Sequence, residues 1–271
     1  MGRRQFAKIS IFLAVAVLLA GYFAYKKYTA RRETQKVQVE QEAEQKAVLE
    51  NIAEDNPEEK AENKSLNTAK QTEGQASSNL TEIPKKYLLE IPFYSQAPFA
   101  NWDAFHEDMC EEASLLNAAY FLLGKKPGKD EYEAELQKMK KFEEKLLGEW
   151  KSTTIAQIKK LVDTYFEGEV KNKIIESPTV EQIEAEISQN HPVIVPLAGR
   201  DIGNPNYRQP GPIYHMLVVK GYDEKFFITN DVGTRKGDSY VYKKEVIMQN
   251  MHDWEGKDIH LGGKRVLVLY K

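Results

Sequence analysis

The chain has 271 residues, of which 41% are apolar and 29% are charged. This composition excludes a wholly disordered protein and allows one ordinary domain with additional segments. The net charge of −3 at pH 7 provides no basic surface for phosphate groups, so nucleic acid is not an expected partner. A single cysteine, Cys110, excludes an intrachain disulfide and any metal site built from several thiolates.

The N-terminal segment, residues 1–32, contains an uncharged, mostly apolar run at residues 9–25 with basic residues on both sides. This length is at the short end of what crosses a bilayer. The alternative is a cleaved secretory signal, which needs small residues at the last and third-last positions before the cut. Ala24 and Ala30 each have a tyrosine at the third-last position. The sequence therefore predicts an uncleaved, single-pass anchor in the lipid bilayer of the cell membrane, with the rest of the chain outside the cytoplasm.

Residues 33–84 contain no aromatic residue and are rich in acidic and other polar side chains. Such a segment buries too little apolar surface to offset its ordering entropy, which predicts an acidic disordered linker. Its first half is also compatible with a helix. Its apolar residues do not sustain a heptad repeat, so a coiled coil is only weakly indicated.

Residues 85–271 have the size and pattern of one α+β domain. Helical spacing of apolar residues occurs at 110–123, between 130 and 165, and at 181–190, and Gly124 ends the first of these runs. Short β-branched and aromatic runs follow, separated by Gly, Asn and Asp: VIVPL, HMLVVKGY, KFFITND, SYVYKK and RVLVLYK. The order predicts helices first and an antiparallel sheet second.

Cys110 lies at the predicted start of a helix, because Asp108 and Glu111 have the spacing of a capping box. In the first turn, the helix dipole and the free amide groups favour the thiolate, which is the nucleophilic form. Glu111 and Glu112 have the opposite effect, so a nucleophile here needs a nearby cation. The alternative interpretation is a buried, inert cysteine.

Five histidines are candidates for that cation: His106, His191, His215, His252 and His260. His215 begins an apolar strand, and the strand pattern through residue 231 predicts a β-hairpin that turns at residues 222–225. This hairpin would place His215 opposite Asp231. A carboxylate next to an imidazole fixes its tautomer and stabilises the imidazolium, as in a catalytic triad. Asn230 would point to the opposite face, and a simple turn role for Asp231 is the alternative.

The order Cys, His, Asp and the blocks IPFYSQAPFANW, CEEAS, HPVIVPLAG, HMLVVKGYDE and ITNDVGT resemble papain-fold cysteine peptidases. The greatest similarity is to the bacteriocin-leader-processing type, cysteine peptidase family thirty-nine, and its stand-alone relatives. The resemblance implies a papain-like fold with Cys110 as nucleophile, His215 as general base and acid, and Asp231 as the orienting carboxylate. It also implies that Gln96 and the Cys110 backbone amide donate to the oxyanion.

The implied reaction is peptide-bond hydrolysis through a thioester, which needs no metal or organic cofactor. The expected partner is a peptide or protein substrate near the membrane. Family members that trim leader peptides are fused to an exporter that this sequence lacks, so cleavage after a double-glycine leader does not carry over. Two alternatives remain: a catalytically silent papain-like domain that binds a peptide or envelope polymer, and an amidase or acyltransferase that uses the same thiol. The Gly- and Pro-rich loop at 200–214 is a candidate border of the substrate cleft.

Overall fold

A computed structural model of the chain describes residues 3–54 and 83–271, with side chains for residues 19–53 and 83–271. The second half of the predicted linker, residues 55–82, lies outside the described residues. The first 44 residues form one compact unit and Gln45–Lys271 another. None of the helices in the described ranges combines the length and apolar character that crossing a membrane requires.

The first helix, α1 (Arg3–Glu54), includes the first half of the predicted linker, for which the sequence also allows a helix. Residues 33–54 are rich in Glu, Gln, Lys and Ala, which favour helices. Within the second unit, the end of α1 packs on the sheet, because Val48 and Ile52 are buried with a small apolar group there. That group consists of Phe226, Ile228 and Val241. Burial of this kind stabilises a helix that composition alone leaves undecided.

The second unit follows the predicted order in outline, with most helices before the central strands, but two short strands precede or interrupt the helices and one helix lies between the last two strands. The helices after α1 are α2 (Ala104–Glu107), α3 (Cys110–Leu123), α4 (Lys129–Leu147), α5 (Ile155–Tyr165), α6 (Val180–Ser188) and α7 (Lys244–Asn250). The strands are β1 (Tyr87–Leu88), β2 (Lys171–Glu176), β3 (Val193–Ala198), β4 (Tyr214–Tyr222), β5 (Phe226–Asn230), β6 (Tyr240–Lys243) and β7 (Arg265–Tyr270). Strand β2 carries a mixed, partly exposed pattern and was not predicted.

The strands of the described residues form one antiparallel sheet in the order β2-β7-β3-β4-β5-β6, and β1 pairs with the end of β4. Helix α3 packs on β4, where Ser114 Oγ donates a hydrogen bond of 3.0 Å to the backbone oxygen of Met216. Gly124 ends α3 in the left-handed conformation, as predicted. The sheet and α3 thus share the core, and the fold places the start of α3 next to the start of β4.

Strands β4 and β5 form the predicted hairpin, with Asp223 capping the turn through bonds from the Lys225 and Phe226 amides. Near the turn, Gly221 pairs with Ile228, but further along Val219 pairs with Thr229. Lys220 is therefore an extra residue on β4, which makes a β-bulge.

Candidate active site

Cys110 is the first residue of α3, at the helix start that the sequence predicts. The predicted capping box is wrong: Met109 occupies the N-cap position, and no side chain caps the helix. The carboxylate of Glu111 points to other partners instead. One oxygen accepts a hydrogen bond of 3.0 Å from the Thr153 backbone amide, and the other accepts one of 2.9 Å from the Cys110 thiol.

The Cys110 thiol is buried, and its surroundings favour the protonated form. Burial, followed by the charge of Glu111, raises the pKa of the thiol well above its ordinary value. The Met216 backbone amide, next to His215 on β4, has the opposite but smaller effect because it donates to the sulfur. The helix terminus alone does not supply a thiolate, which agrees with the expectation that a nucleophile here needs a nearby cation. Desolvation outweighs the helix terminus here.

Three buried glutamates, Glu111, Glu112 and Glu143, lie together behind the thiol. Burial raises the pKa of all three carboxyls, that of Glu111 to about 8 and that of Glu143 to about 10. Trp150 donates a hydrogen bond of 2.7 Å to Glu112. The other oxygen of Glu112 and both oxygens of Glu143 lack partners unless a carboxyl is protonated. A proton shared between Glu112 and Glu143 satisfies this Glu112 oxygen and one Glu143 oxygen, which agrees with the raised pKa values.

His215 and Asp231 form a buried pair, with 2.9 Å between His215 Nε2 and Asp231 Oδ1. His215 is 1% exposed and Asp231 is fully buried. Because a carboxylate only accepts, Nε2 carries the proton and Nδ1 is the basic nitrogen of the neutral ring. Within the described part of the chain, Nδ1 makes no hydrogen bond. The imidazole is thus held in the tautomer that a general base requires.

The hairpin brings His215 and Asp231 together, although not directly opposite each other. Val218 pairs with Asn230, so Asp231 follows the last paired residue and lies diagonal to His215 on the same face. The sequence predicts the correct face for Asp231, but the predicted register is wrong by two residues. Asn230 points to the other face, where its amide donates to the Pro92 backbone oxygen at 3.0 Å.

Gly233 is required where the chain passes the His–Asp pair. A Cβ at this position would lie 2.8 Å from His215 Cε1 and 3.3 Å from Asp231 Oδ1. The Gly233 backbone amide donates a hydrogen bond of 3.1 Å to Asp231 Oδ1. The close approach of the backbone thus gives the carboxylate a second donor on its His215 side.

The other carboxylate oxygen, Asp231 Oδ2, accepts three hydrogen bonds from side chains. These come from Tyr242 Oη at 2.6 Å, Tyr207 Oη at 2.7 Å and Asn204 Nδ2 at 2.9 Å. Burial alone raises the pKa of a carboxyl. Here His215 and the tyrosine donors outweigh burial, and the pKa of Asp231 is lower than its ordinary value. The sequence analysis missed these three donors, because only long-range contacts bring them to Asp231.

Neither Cys110 nor Gln96 is in a catalytic arrangement with His215 in this structure. The thiol bonds to Glu111 rather than to His215, among the contacts of the described residues. Gln96 Nε2 donates to the backbone oxygens of His106 at 2.7 Å and Glu107 at 3.1 Å. Both amide hydrogens are therefore in use, and donation to an oxyanion requires one of these bonds to break. The oxyanion role of Gln96 stays a prediction.

The other four histidines have partners outside this pair. His106 lies between Asp103 and Glu133, and His191 bonds to Glu186. His252 contacts the Gly262 backbone oxygen, and His260 bonds to Asp201 and Asp258. His215 is the histidine that pairs with Asp231, and the backbone amide of the next residue, Met216, contacts the Cys110 sulfur.

Comparison with known families gives a match over residues 88–256 to the Peptidase_C39 like family. The chain belongs to this family. The C39-like match contains Cys110, His215, Asp231 and Gln96, and it ends before β7. Membership supports a cysteine peptidase, and therefore a hydrolase, at the level of the family.

The solved structures similar to this chain include the crystal structure of a C39-like peptidase from Bacillus anthracis. That structure has 14% sequence identity and a TM-score of 0.47, and the match covers 69% of this chain and 98% of the other. No curated protein sequence matches this chain.

Proposed function

We propose that this protein is a membrane-tethered cysteine peptidase that cleaves peptide bonds with a Cys110–His215–Asp231 triad. The observation that carries the proposal is the buried 2.9 Å contact between His215 on β4 and Asp231, which directly follows β5. The residue after His215 on β4, Met216, contacts α3. That helix begins with the sole cysteine of the sequence. A carboxylate-oriented imidazole with a free Nδ1 is what a thiol nucleophile needs.

The reaction starts when the Cys110 side chain leaves Glu111 and transfers its proton to His215 Nδ1. The thiolate attacks the substrate carbonyl, and the tetrahedral oxyanion is stabilised by backbone and side-chain donors near the start of α3. The C–N bond then breaks, and His215 returns its proton to the leaving amine. A water molecule loses a proton to His215 and attacks the thioester, which releases the carboxylic acid and restores the thiol. No step changes an oxidation state, so the reaction needs no redox partner.

A full-length chain incubated with a diverse peptide library tests the proposal, with mass spectrometry reading the new termini. We expect cleavage by the parent chain and a fall of about 10³-fold or more in Cys110→Ala and in His215→Ala. His260→Ala is the matched control, because His260 is an exposed histidine bonded to Asp201 and Asp258. Undiminished cleavage by Cys110→Ala would show that another group is the nucleophile.

The second candidate is a catalytically silent papain-like domain that binds a peptide or envelope polymer. The observation that favours it is the buried thiol, whose hydrogen bond goes to Glu111 and whose pKa is raised. The library experiment separates the two functions. A silent domain retains peptides without producing new termini, and its binding is the same in Cys110→Ala.

We propose that residues 9–25 tether the enzyme to the cell membrane, with the peptidase domain outside the cytoplasm. The support is the apolar run with basic flanks in the sequence. Charges at the centre of such a segment cost about 2.5–3.5 kcal/mol each on insertion. We expect the full chain to stay in the membrane fraction after alkaline carbonate washing, and a Val15→Arg/Leu18→Arg variant to be released. Thr34→Arg is the control, and release of the parent chain would refute the tether.

A further inference from the structure

The Asp231 carboxylate accepts more hydrogen bonds than it needs to orient one histidine. One oxygen accepts from His215 and Gly233, and the other accepts from two phenol hydroxyls and one carboxamide. A fully buried carboxylate is costly unless its lone pairs are satisfied. The three side-chain donors on Oδ2 point to a site that is built to keep this carboxyl ionised and fixed in direction.

The donors come from two parts of the fold that are distant in sequence from β5. Tyr242 is on β6, whereas Asn204 and Tyr207 lie in the loop between β3 and β4. Asn204 Nδ2 also donates to Tyr242 Oη at 2.8 Å, so the three side chains form one connected group. Burial, followed by the charge of Asp231, raises the pKa of both phenols, which therefore stay protonated and able to donate.

Tyr207 contacts the imidazole as well as the carboxylate. Its ring packs edge-on against His215, with 5.4 Å between the ring centroids. The loop continues directly into β4, and the Gly199 amide and the Ile213 backbone oxygen close its base at 3.0 Å. Both ends of the His215–Asp231 pair are therefore in contact with the loop that precedes His215.

We propose that Tyr207 and Tyr242 are positioning residues for the peptidase reaction, which fix the Asp231 carboxylate against His215 and connect the loop at residues 199–213 to the general base. This inference rests on the proposed function. The hydroxyls of both tyrosines donate to Asp231. Their effect on catalysis passes through Asp231.

The test uses Tyr207→Phe and Tyr242→Phe in the full-length chain. Each substitution removes one hydroxyl and retains the ring. Tyr222→Phe is the matched control, because Tyr222 is on β4 and its hydroxyl donates to the Pro84 backbone oxygen away from Asp231. His215, Tyr207 and Tyr242 are the titratable groups that act on Asp231, so no other charge needs to be followed.

Two readouts follow pH: the rate of Cys110 alkylation by iodoacetamide and the NMR shift of the His215 Cε1 proton. A lost donor to a charged group moves the titration of Asp231 upward by about one pH unit. We expect the acid limb of alkylation and the acid inflection of the His215 resonance to move upward by that amount in each variant, and not in Tyr222→Phe. A purely structural role lowers reactivity equally at every pH.

The inference is overturned if both variants are folded and their pH profiles coincide with that of the parent. A failure of the proposed function looks different. In that case His215→Ala leaves the alkylation rate of Cys110 unchanged. The His215 resonance of the parent chain still follows the titration of Asp231. If one tyrosine variant loses its native NMR spectrum, the other decides, because the two hydroxyls are on separate elements.

Discussion

Asp231→Asn is expected to reduce kcat/KM for peptide cleavage by about 10⁴-fold, the loss that follows when a triad histidine is given the wrong tautomer. The carboxamide places an NH₂ group where the surrounding groups all donate to the carboxylate in the parent chain. If the NH₂ group takes the place of Oδ2, it faces the donors of Tyr207, Tyr242 and Asn204. If it faces His215 instead, the imidazole must move its proton to Nδ1, which then cannot accept the proton of the thiol.

The same substitution is expected to lower the free energy of unfolding by about 3 kcal/mol, because buried donors lose a charged acceptor. Steady-state kinetics and denaturant unfolding at pH 7 measure the two effects. Asp223→Asn is the control, since it makes the same change in the same hairpin, where an asparagine oxygen also accepts from the turn amides. A loss below about tenfold in kcat/KM would contradict the assigned role of Asp231.

Glu143→Gln is expected to make the free energy of unfolding depend much less on pH. Burial, followed by the charge of Glu112, raises the pKa of Glu143 to about 10. A carboxyl with a raised pKa in the folded state stabilises the fold fully below its unfolded pKa, and this contribution is lost as pH rises. Glu111 and Glu112 act in the same direction.

With a pKa of about 10, Glu143 alone lowers the free energy of unfolding by about 1.4 kcal/mol for each pH unit between pH 5 and pH 8. We therefore expect the parent chain to be at least about 4 kcal/mol less stable at pH 8 than at pH 5, and Glu143→Gln to recover about 4 kcal/mol. Denaturant unfolding at both values measures this. Glu149→Gln is the control, because the side chain of Glu149 is 59% exposed. The contribution of Asp231 to stability has the opposite pH dependence. Because the pKa of Asp231 is lowered, this contribution is lost only in acid. Equal stability at pH 5 and pH 8 would show that the three glutamates are not buried together.

Local patterns predict much of the fold. The apolar spacing and Gly124 predict α3, and the runs around residues 193–198, 214–222 and 265–270 predict central strands, because these signals lie within a few residues of each other. Strand β2 has no such signal, since its burial depends on pairing with β7. The helical end of α1 also depends on a distant partner, the apolar group on β5 and β6.

The site is predictable only in outline. The order of Cys110, His215 and Asp231 and the face of the hairpin are visible in the sequence. The contact of Glu111 with the thiol is not visible, because it depends on the Thr153 amide holding the other carboxylate oxygen. Tyr242 looks like any core tyrosine of a strand until the fold places its hydroxyl 2.6 Å from Asp231.

The bulge at Lys220 decides which of two neighbouring side chains becomes the partner of His215. If the pairing of Gly221 with Ile228 continued without the extra residue, Thr229 and Asp231 would share one face and Asn230 would lie on the face of His215. With the bulge, Val218 pairs with Asn230, and Asp231 takes the face of His215 instead. The number of residues in β4 thus selects a carboxylate over a carboxamide for the histidine, so chain length in this hairpin is under the same chemical constraint as residue identity.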